Sequence, residues 1–371
     1  MNSIILSNGL SSLDHLMSKE DVYGMTSDEI EILRLTEIKR SVECQYEYNI
    51  NFREYCRTVG FEPNSLVQTN DLDSVPLIPS SLFKKSASAL QTIRPQSFER
   101  PLYTTSSGTQ GQLSRVPRDD ATLMRFFASI SSGVRQVLRI DNFSVPLFNL
   151  GPPTDQATDL WLSYVLAGAG LLFPSSDYVE MGEFLIDRLL DDLDRCNAPC
   201  ILVGPPMLVS RLSEEVREGM RLHEHSIIVT VGGWKTHENR AVDRAQFADK
   251  TSQAFGIPPS NVRDAFNMVE LNTVIFECGS GVKHIPPWLY MSTRSPRDLS
   301  PSVDEQGGIL SFLDPSADSY PAYVLSGDFG SVSRSYQCDC GIQSDVLKIE
   351  RRITRLESRG CAMKMNYKVG V

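Results

Sequence analysis

Thr104-Thr105-Ser106-Ser107-Gly108-Thr109-Gln110-Gly111 sets a run of hydroxyl side chains beside paired glycines, and Ser114-Arg115-Val116-Pro117-Arg118 follows closely. Hydroxyls donate to phosphate oxygens, and glycines let backbone amides approach closely and take positive φ, so the stretch is suited to wrapping a polyphosphate. It is not a Walker A loop, because no Gly-Lys-Ser/Thr ends it, and its glycine spacing differs from a dinucleotide fingerprint. On its own it reads equally as a nucleotide loop and as a flexible Ser/Thr/Gly surface loop.

Short elements downstream add to it in order: Gly232-Gly233-Trp234-Lys235, Asn267-Met268-Val269-Glu270, Ser326-Gly327-Asp328-Phe329-Gly330 and Arg351-Arg352. Joining a carboxylate to a phosphate brings two anions together, so such a site needs a cation and oriented amides where charge accumulates. Lys235 offers a compact positive charge. Read singly, an exposed lysine after a turn is also a solvated one, and an Asp between glycines is also a turn former.

Cys278, His284, Cys338 and Cys340, the last two in a Cys-x-Cys-Gly knuckle, make a Cys₃His set of the kind that holds zinc. With every position filled by protein, the site would be structural; a reduced cluster that simply packs is the alternative. Cys361, in Ser358-Arg359-Gly360-Cys361-Ala362-Met363, lies among arginines that favour a thiolate, as a reactive nucleophile or as an exposed tail cysteine. Cys44, Cys56, Cys196 and Cys200 sit among apolar or helical residues and read as inert thiols.

The elements that must position these residues follow from pattern. Thr26 and Glu29 form a capping box for a helix over 27–48, a second helix covers 51–59 up to Gly60, and Ser74 to Lys85 reads as an extended connection into a basic turn. A helix from Asp119 to Leu138 precedes apolar runs that alternate with glycine turns and helices: Val145 to Leu150, Asp159 to Ala169, Gly170 to Phe173, a helix over 178–195, Cys200 to Val203, a helix over 207–219, and Ser226 to Val231. That alternation predicts a mostly parallel, helix-covered sheet with ligands at the strands' carboxyl ends. From about residue 274, short strands predict an antiparallel β subdomain. The chain of 371 residues is 41% hydrophobic and 22% charged, as in a soluble globular protein, and its net charge of −10 without a basic cluster argues against nucleic acid. Neither a signal peptide nor a membrane span is evident, and the expected setting is cytoplasmic.

The ordered set of motifs resembles that of adenylate-forming enzymes. More specifically, through Phe52-Arg-Glu-Tyr-Cys-Arg-Thr-Val-Gly-Phe61, the Ser74–Lys85 stretch and Arg359-Gly-Cys-Ala-Met363, the chain resembles the LuxE-type acyl-protein synthetases over most of its length, and more distantly phenylacetate-CoA ligases. The resemblance implies an α/β fold, the large domain of adenylate-forming enzymes, without their usual mobile C-terminal domain. It divides the chain into a helical and linker region (1–95), a nucleotide- and acyl-binding core (96–273), a β-rich subdomain with a zinc site (274–345) and a short tail (346–371).

It implies ATP, Mg²⁺ and a structural Zn²⁺ on Cys278, His284, Cys338 and Cys340. Thr105, Ser106, Ser107, Gly108, Thr109, Gln110 and Gly111 would hold the phosphates, with Gln110 standing where threonine is common. Gly232, Gly233 and Trp234 would lie along the adenine, and Glu270 would position Mg²⁺. Asp328 would take the ribose hydroxyls, with Arg352 beside them, and Cys361 would accept the acyl group as a thioester. The expected activity is ATP-dependent activation of a fatty or aryl acid, transfer to Cys361, and delivery to a protein such as an acyl reductase or a carrier. The alternative is an acyl- or aryl-CoA ligase using an external nucleophile. Leu147 to Leu150, Trp161, Val165 and Ala167 to Gly170 are candidates to line the acyl slot.

Overall fold

The computed structural model describes residues 12–95, 101–107, 113–233, 243–303 and 305–352. A twelve-stranded mixed sheet runs through it. From one edge, Ser175–Asp177, Leu147–Asn149, Ile201–Gly204, Ile227–Val231 and Val262–Phe266 pair in parallel. Ile275–Glu277, Lys283–His284, Gln343–Arg352, Tyr323–Gln337, Gly308–Leu313 and Tyr290–Arg294 continue it in antiparallel fashion, and the twelfth strand, Ile78–Pro79, pairs in parallel with Tyr323–Gln337. The change of pattern expected near residue 274 is this switch. It falls inside one continuous sheet.

The inner parallel strands Leu147–Asn149, Ile201–Gly204 and Ile227–Val231 are mainly apolar because both of their faces are covered. Along them alternate residues go to opposite sides. Ile201, Val203, Val229 and Val231 pack with Ile130 and Val134 of the helix Asp120–Gln136 and with Val165 and Leu166 of the helix Trp161–Gly170. Leu202 and Ile228 pack with Leu189, Val209, Leu212 and Phe255 from helices on the other side. The helix Ser27–Tyr48 carries the expected Thr26/Glu29 capping box, and the helix Ile50–Val59 stops at Gly60, whose φ is 73°.

Several elements differ from the expectation. The helix expected over 178–195 is confined to Ile186–Arg195, since Val179–Glu180 and Glu183–Phe184 form a hairpin about Met181-Gly182. No strand forms at Gly170 to Phe173, because the preceding helix continues to Gly170 and the edge strand starts at Ser175. The helix expected to reach residue 219 ends at Glu215. The strand Gln343–Arg352 was not expected at all. Its sequence is mostly polar and lacks clean alternation, and it forms because it folds back on Tyr323–Gln337 across the Cys340-Gly341 turn.

Candidate active site

Leu102–Thr105 and Arg115–Arg118 form a separate two-stranded hairpin whose tip is the hydroxyl-rich loop. Thr104 and Thr105 are buried strand residues, and the Thr105 amide and hydroxyl both donate to the Asp159 carbonyl, at 2.5 and 3.1 Å. The first hydroxyls of the run therefore anchor the hairpin. At its neck the Ser106 amide donates to the Ser114 carbonyl (3.0 Å), and the Ser114 amide donates back to the Ser106 hydroxyl (3.1 Å). Ser107 is exposed at the mouth. Gly108, Thr109, Gln110 and Gly111 lie outside the described residues.

Gly232-Gly233 and Asn267 to Glu270 follow adjacent parallel strands at their carboxyl ends, where ligands gather in such sheets. Gly232 has φ 86°, a value that favours glycine. Trp234 and Lys235 lie outside the described residues.

The loop bearing Glu270 is held from every side. Asn267 Nδ2 donates to the carbonyls of Leu271 and Thr273 (3.1 and 2.9 Å), and Trp161 Nε1 donates to Asn267 Oδ1 (2.5 Å). The Tyr320 hydroxyl donates to the Glu270 carbonyl (3.3 Å), and the Asn272 amide donates to Asp314 (3.0 Å). The Glu270 carboxyl itself is buried, and burial pushes its pKa up. A hydrogen bond from Ser114 and the charges of Arg352 and Lys84 work against that rise. A carboxylate oxygen is the donor type that a hard metal ion takes, and it must be ionised to serve as one.

Arg118 was not singled out from the sequence as a site residue, yet it connects these parts. Its guanidinium lies 3.4 Å over the Trp161 ring, donates to the Val269 carbonyl (2.6 Å) and to Asn272 (3.3 Å), and also contacts the Thr104 hydroxyl. It is 1% exposed, and among the described residues it forms no ion pair. No local signal marks it; it is an arginine in a strand, and only the fold buries it.

Asp328 lies within the strand Tyr323–Gln337 and not in a turn. Extra residues at Ser326 to Asp328 make a bulge against Gly308–Leu313, which is how a strand re-aims a side chain. Asp328 sits across from Arg352 in the adjacent strand. Since Arg352 also acts electrostatically on Glu270, the hydroxyl loop's neck, Glu270, Arg352 and Asp328 form one neighbourhood. Close backbone contact continues beyond it: a Cβ on Gly330 would lie 2.1 Å from the Lys348 carbonyl oxygen.

The thiols and imidazole also converge. One ligand atom from each of Cys278, His284, Cys338 and Cys340 lies within 4.8 Å of the others. Cys278 Sγ and Cys338 Sγ are 3.7 Å apart, and Cys340 Sγ is 3.3 Å from His284 Nε2. Tetrahedral zinc with Zn–S bonds near 2.3 Å would set sulfurs about 3.8 Å apart, so the spacing fits that ion. Both Cys-x-x-Gly turns are alike: Gly281 donates to the Cys278 carbonyl (3.0 Å) and Gly341 to the Cys338 carbonyl (2.8 Å), with φ 74° and 89°. That repeated spacing, Cys278 to Gly281 and Cys338 to Gly341, is a signal the sequence reading missed.

The histidine is oriented. Ser344 Oγ donates to the Asp345 carbonyl (2.9 Å), so its oxygen accepts from His284 Nδ1–H (2.8 Å), leaving the Nε2 lone pair facing the sulfurs. Burial opposes ionisation of Cys278, but the adjoining His284 ring and hydrogen bonds from backbone amides hold its pKa below the ordinary value; burial pushes Cys340 up to about 12.

Away from the cluster, Cys56 and Cys200 are buried and their pKa values are pushed up to about 12, which fits inert thiols; Cys44 and Cys196 are half-buried. Cys361 lies outside the described residues. Of the expected acyl-slot residues, Leu147, Val165 and Ala169 line an apolar cavity of about 30 Å³ with Ile201, Val229 and Phe276. Trp161 instead supports Arg118.

Known proteins match the chain over most of its length. The family described as Acyl-protein synthetase, LuxE, matches residues 2–370. A long-chain-fatty-acid--luciferin-component ligase of Aliivibrio fischeri is 30% identical over 375 residues, spanning 98% of this chain and 95% of its own. The protein of the same description from Vibrio harveyi is 30% identical over 336 residues, spanning 89% and 86%. Among solved structures, an open conformation of 2-hydroxyisobutyryl-CoA ligase in complex with 2-HIB-AMP and CoA matches with a TM-score of 0.70 and 16% identity, over 90% of this chain and 77% of its own. That likeness speaks for the fold, which is the adenylate-forming architecture expected from the sequence. Among the described residues, no helix is long and apolar enough to cross a membrane.

Proposed function

We propose, from the premise that the chain belongs to the LuxE acyl-protein synthetase family, that it activates a fatty acid with ATP, takes the acyl group on Cys361 and passes it to a partner protein. It is an ATP-dependent, AMP-forming ligase. The observation that carries the reading is the convergence of the hydroxyl hairpin, Glu270, Arg352 and Asp328 at the carboxyl end of the parallel strands.

In the first step a substrate carboxylate oxygen bonds to the α-phosphorus, the bond from that phosphorus to the bridging oxygen breaks, and pyrophosphate leaves with the electron pair. Ser106, Ser107, Gly108, Thr109, Gln110 and Gly111 would hold the outer phosphates, with Thr105 anchoring the hairpin. Gly232, Gly233 and Trp234 would flank the adenine, Asp328 and Arg352 the ribose, and Lys235 would add positive charge. Mg²⁺, held by Glu270, would supply a positive charge between the α-phosphate and the carboxylate. In the second step the Cys361 thiolate attacks the acyl carbon and AMP leaves; a nucleophile of the acceptor, an acyl reductase or a carrier protein, then displaces the thiolate.

A fatty acid is favoured over an aryl acid by the names of the relatives. Zn²⁺ is the ion that fits the Cys₃His cluster, in a structural role. A cytoplasmic setting, where ATP is available and thiols stay reduced, suits both steps. The test is acid-dependent exchange of pyrophosphate into ATP. Cys361→Ser should keep that exchange and lose the hydroxylamine-labile acyl label; a variant that labels like its parent removes Cys361 as the acceptor.

A further inference from the structure

Lys84 ends its reach at the rim of this site without having been assigned to it. It belongs to the helical turn Leu82–Lys85, a turn of 4 residues, too short to persist by propensity alone. Packing fixes it. Leu82 and Phe83 are buried, and Phe83 meets the Tyr320 ring edge-on at 5.9 Å; Tyr320 is the residue whose hydroxyl holds the Glu270 carbonyl. The turn also packs on Arg115–Arg118, the returning strand of the hydroxyl hairpin. Just upstream, Ile78–Pro79 pairs with Val324 and Leu325, and the Ser80 amide donates to the Leu325 carbonyl (3.0 Å), next to the bulge that carries Asp328.

Three walls of the site thus hold the backbone at residue 84. The side chain is exposed, and among the described residues it has neither a hydrogen bond nor an ion pair. It acts electrostatically on the buried Glu270 carboxyl. Its neighbour Lys85 is equally exposed. A cation that is fixed at its root, exposed at its tip and unspent among the described residues is suited to an anion that arrives and leaves.

We propose that Lys84 is the ammonium group that binds the ATP phosphates during adenylation and pairs with the charge displaced onto pyrophosphate. This rests on the acid-activating reading above. Lys84 exchanges no proton in the step: the new bond is from carboxylate oxygen to α-phosphorus, the broken bond is from that phosphorus to the pyrophosphate oxygen, and the lysine only balances charge. In the second step the leaving group is AMP and no pyrophosphate is present. Lys84 therefore serves the first half-reaction and not the second.

The experiment compares the parent with Lys84→Gln, Lys84→Arg and Lys85→Gln in both half-reactions. Acid-dependent pyrophosphate exchange should fall about 100-fold in Lys84→Gln, the size of effect seen on removing one preorganised donor at a developing charge. Lys84→Arg should recover part of it, and Lys85→Gln should match the parent. Acylation of Cys361 from preformed acyl-AMP should stay within about twofold of the parent in every variant, because that transition state lacks the interaction. Exchange by Lys84→Gln at the parental rate overturns the proposal, and so does an equal loss in both half-reactions, which marks a structural effect. A parent that shows no acid-dependent exchange overturns the acid-activating reading instead.

Discussion

The Arg118 guanidinium carbon lies over the Trp161 ring, 3.4 Å from its centre, while its Nη2 donates to the Val269 carbonyl one residue before Glu270. Because the same side chain contacts Thr104, it ties the hydroxyl hairpin to the loop carrying the carboxylate. A desolvated cation–π pair is worth about 2 kcal/mol, and a hydrogen bond to a charged group about 1.5–3 kcal/mol. Arg118→Lys keeps the charge but loses the planar fork. It is expected to lower unfolding free energy by about 3 kcal/mol and to weaken pyrophosphate exchange, both readable in urea titrations and exchange assays. Parental stability in this variant would show that the fork holds nothing in place.

Glu270 combines a functional demand with a stability cost. Burial raises its folded pKa above the unfolded value, so the folded state binds the extra proton between the two values. Stability from this group is present below the unfolded pKa and is lost as pH rises through the folded one. Glu270→Gln should therefore melt higher than the parent at pH 8, converge with it near pH 4, and lose acid-dependent exchange. Exchange by the parent should weaken as pH falls through the raised pKa, since a protonated carboxyl is a poor ligand for Mg²⁺. A variant that melts lower than the parent at pH 8 contradicts the sign of this account.

The Cys₃His cluster predicts one zinc per chain by elemental analysis, and Cys338→Ser or Cys340→Ser should abolish it. Structural zinc sites contribute folding energy directly, so a strong chelator should lower the melting temperature of the parent and leave the Cys338→Ser variant unmoved. Retention should also fail in acid, where protons compete with the metal for its ligands. Purified protein that carries no metal and whose cluster thiols all react freely with a thiol reagent would leave the cluster as packing.

Much of this was legible locally. The Thr26/Glu29 cap, the apolar runs ending in Gly204 and Gly232, and the change of pattern before Ile275 depend on neighbours in sequence, and each lies where it was read. The convergence of Cys278 and His284 with Cys338 and Cys340 was legible from residue type, because few combinations other than a metal site ask for those side chains. What local pattern does not contain is register. Asp328 looked like a turn residue because Gly327 and Gly330 flank it, yet it sits on a bulge set by its partners Gly308–Leu313 and Gln343–Arg352. Arg118 and Lys84 carry no spacing at all. Their places come from Trp161 and Tyr320, which are far away along the chain, the latter met by Phe83 beside Lys84.

Asp345 couples that register to the metal cluster. Its carboxylate takes Arg34 and Arg334 at 2.6 Å each, and its carbonyl accepts from the Ile285 amide and from the Ser344 hydroxyl that orients His284. Burial opposes its ionisation, but the two arginines hold its pKa below the usual carboxylate range. A depressed folded pKa gives stability that is present above the unfolded value, about 3.9, and is lost as pH falls through the folded one. Asp345→Asn leaves two guanidinium groups without their counter-charge, and removing one partner of a buried pair costs about 3–5 kcal/mol. The variant should be less stable than the parent by that amount at pH 7, and the gap should narrow in acid below about pH 4, where the parent loses the same interaction. It should also bind zinc more weakly, because the strand that carries Ser344 is no longer clamped. Unchanged zinc affinity alongside the stability loss would confine Asp345 to its arginines and separate it from the cluster.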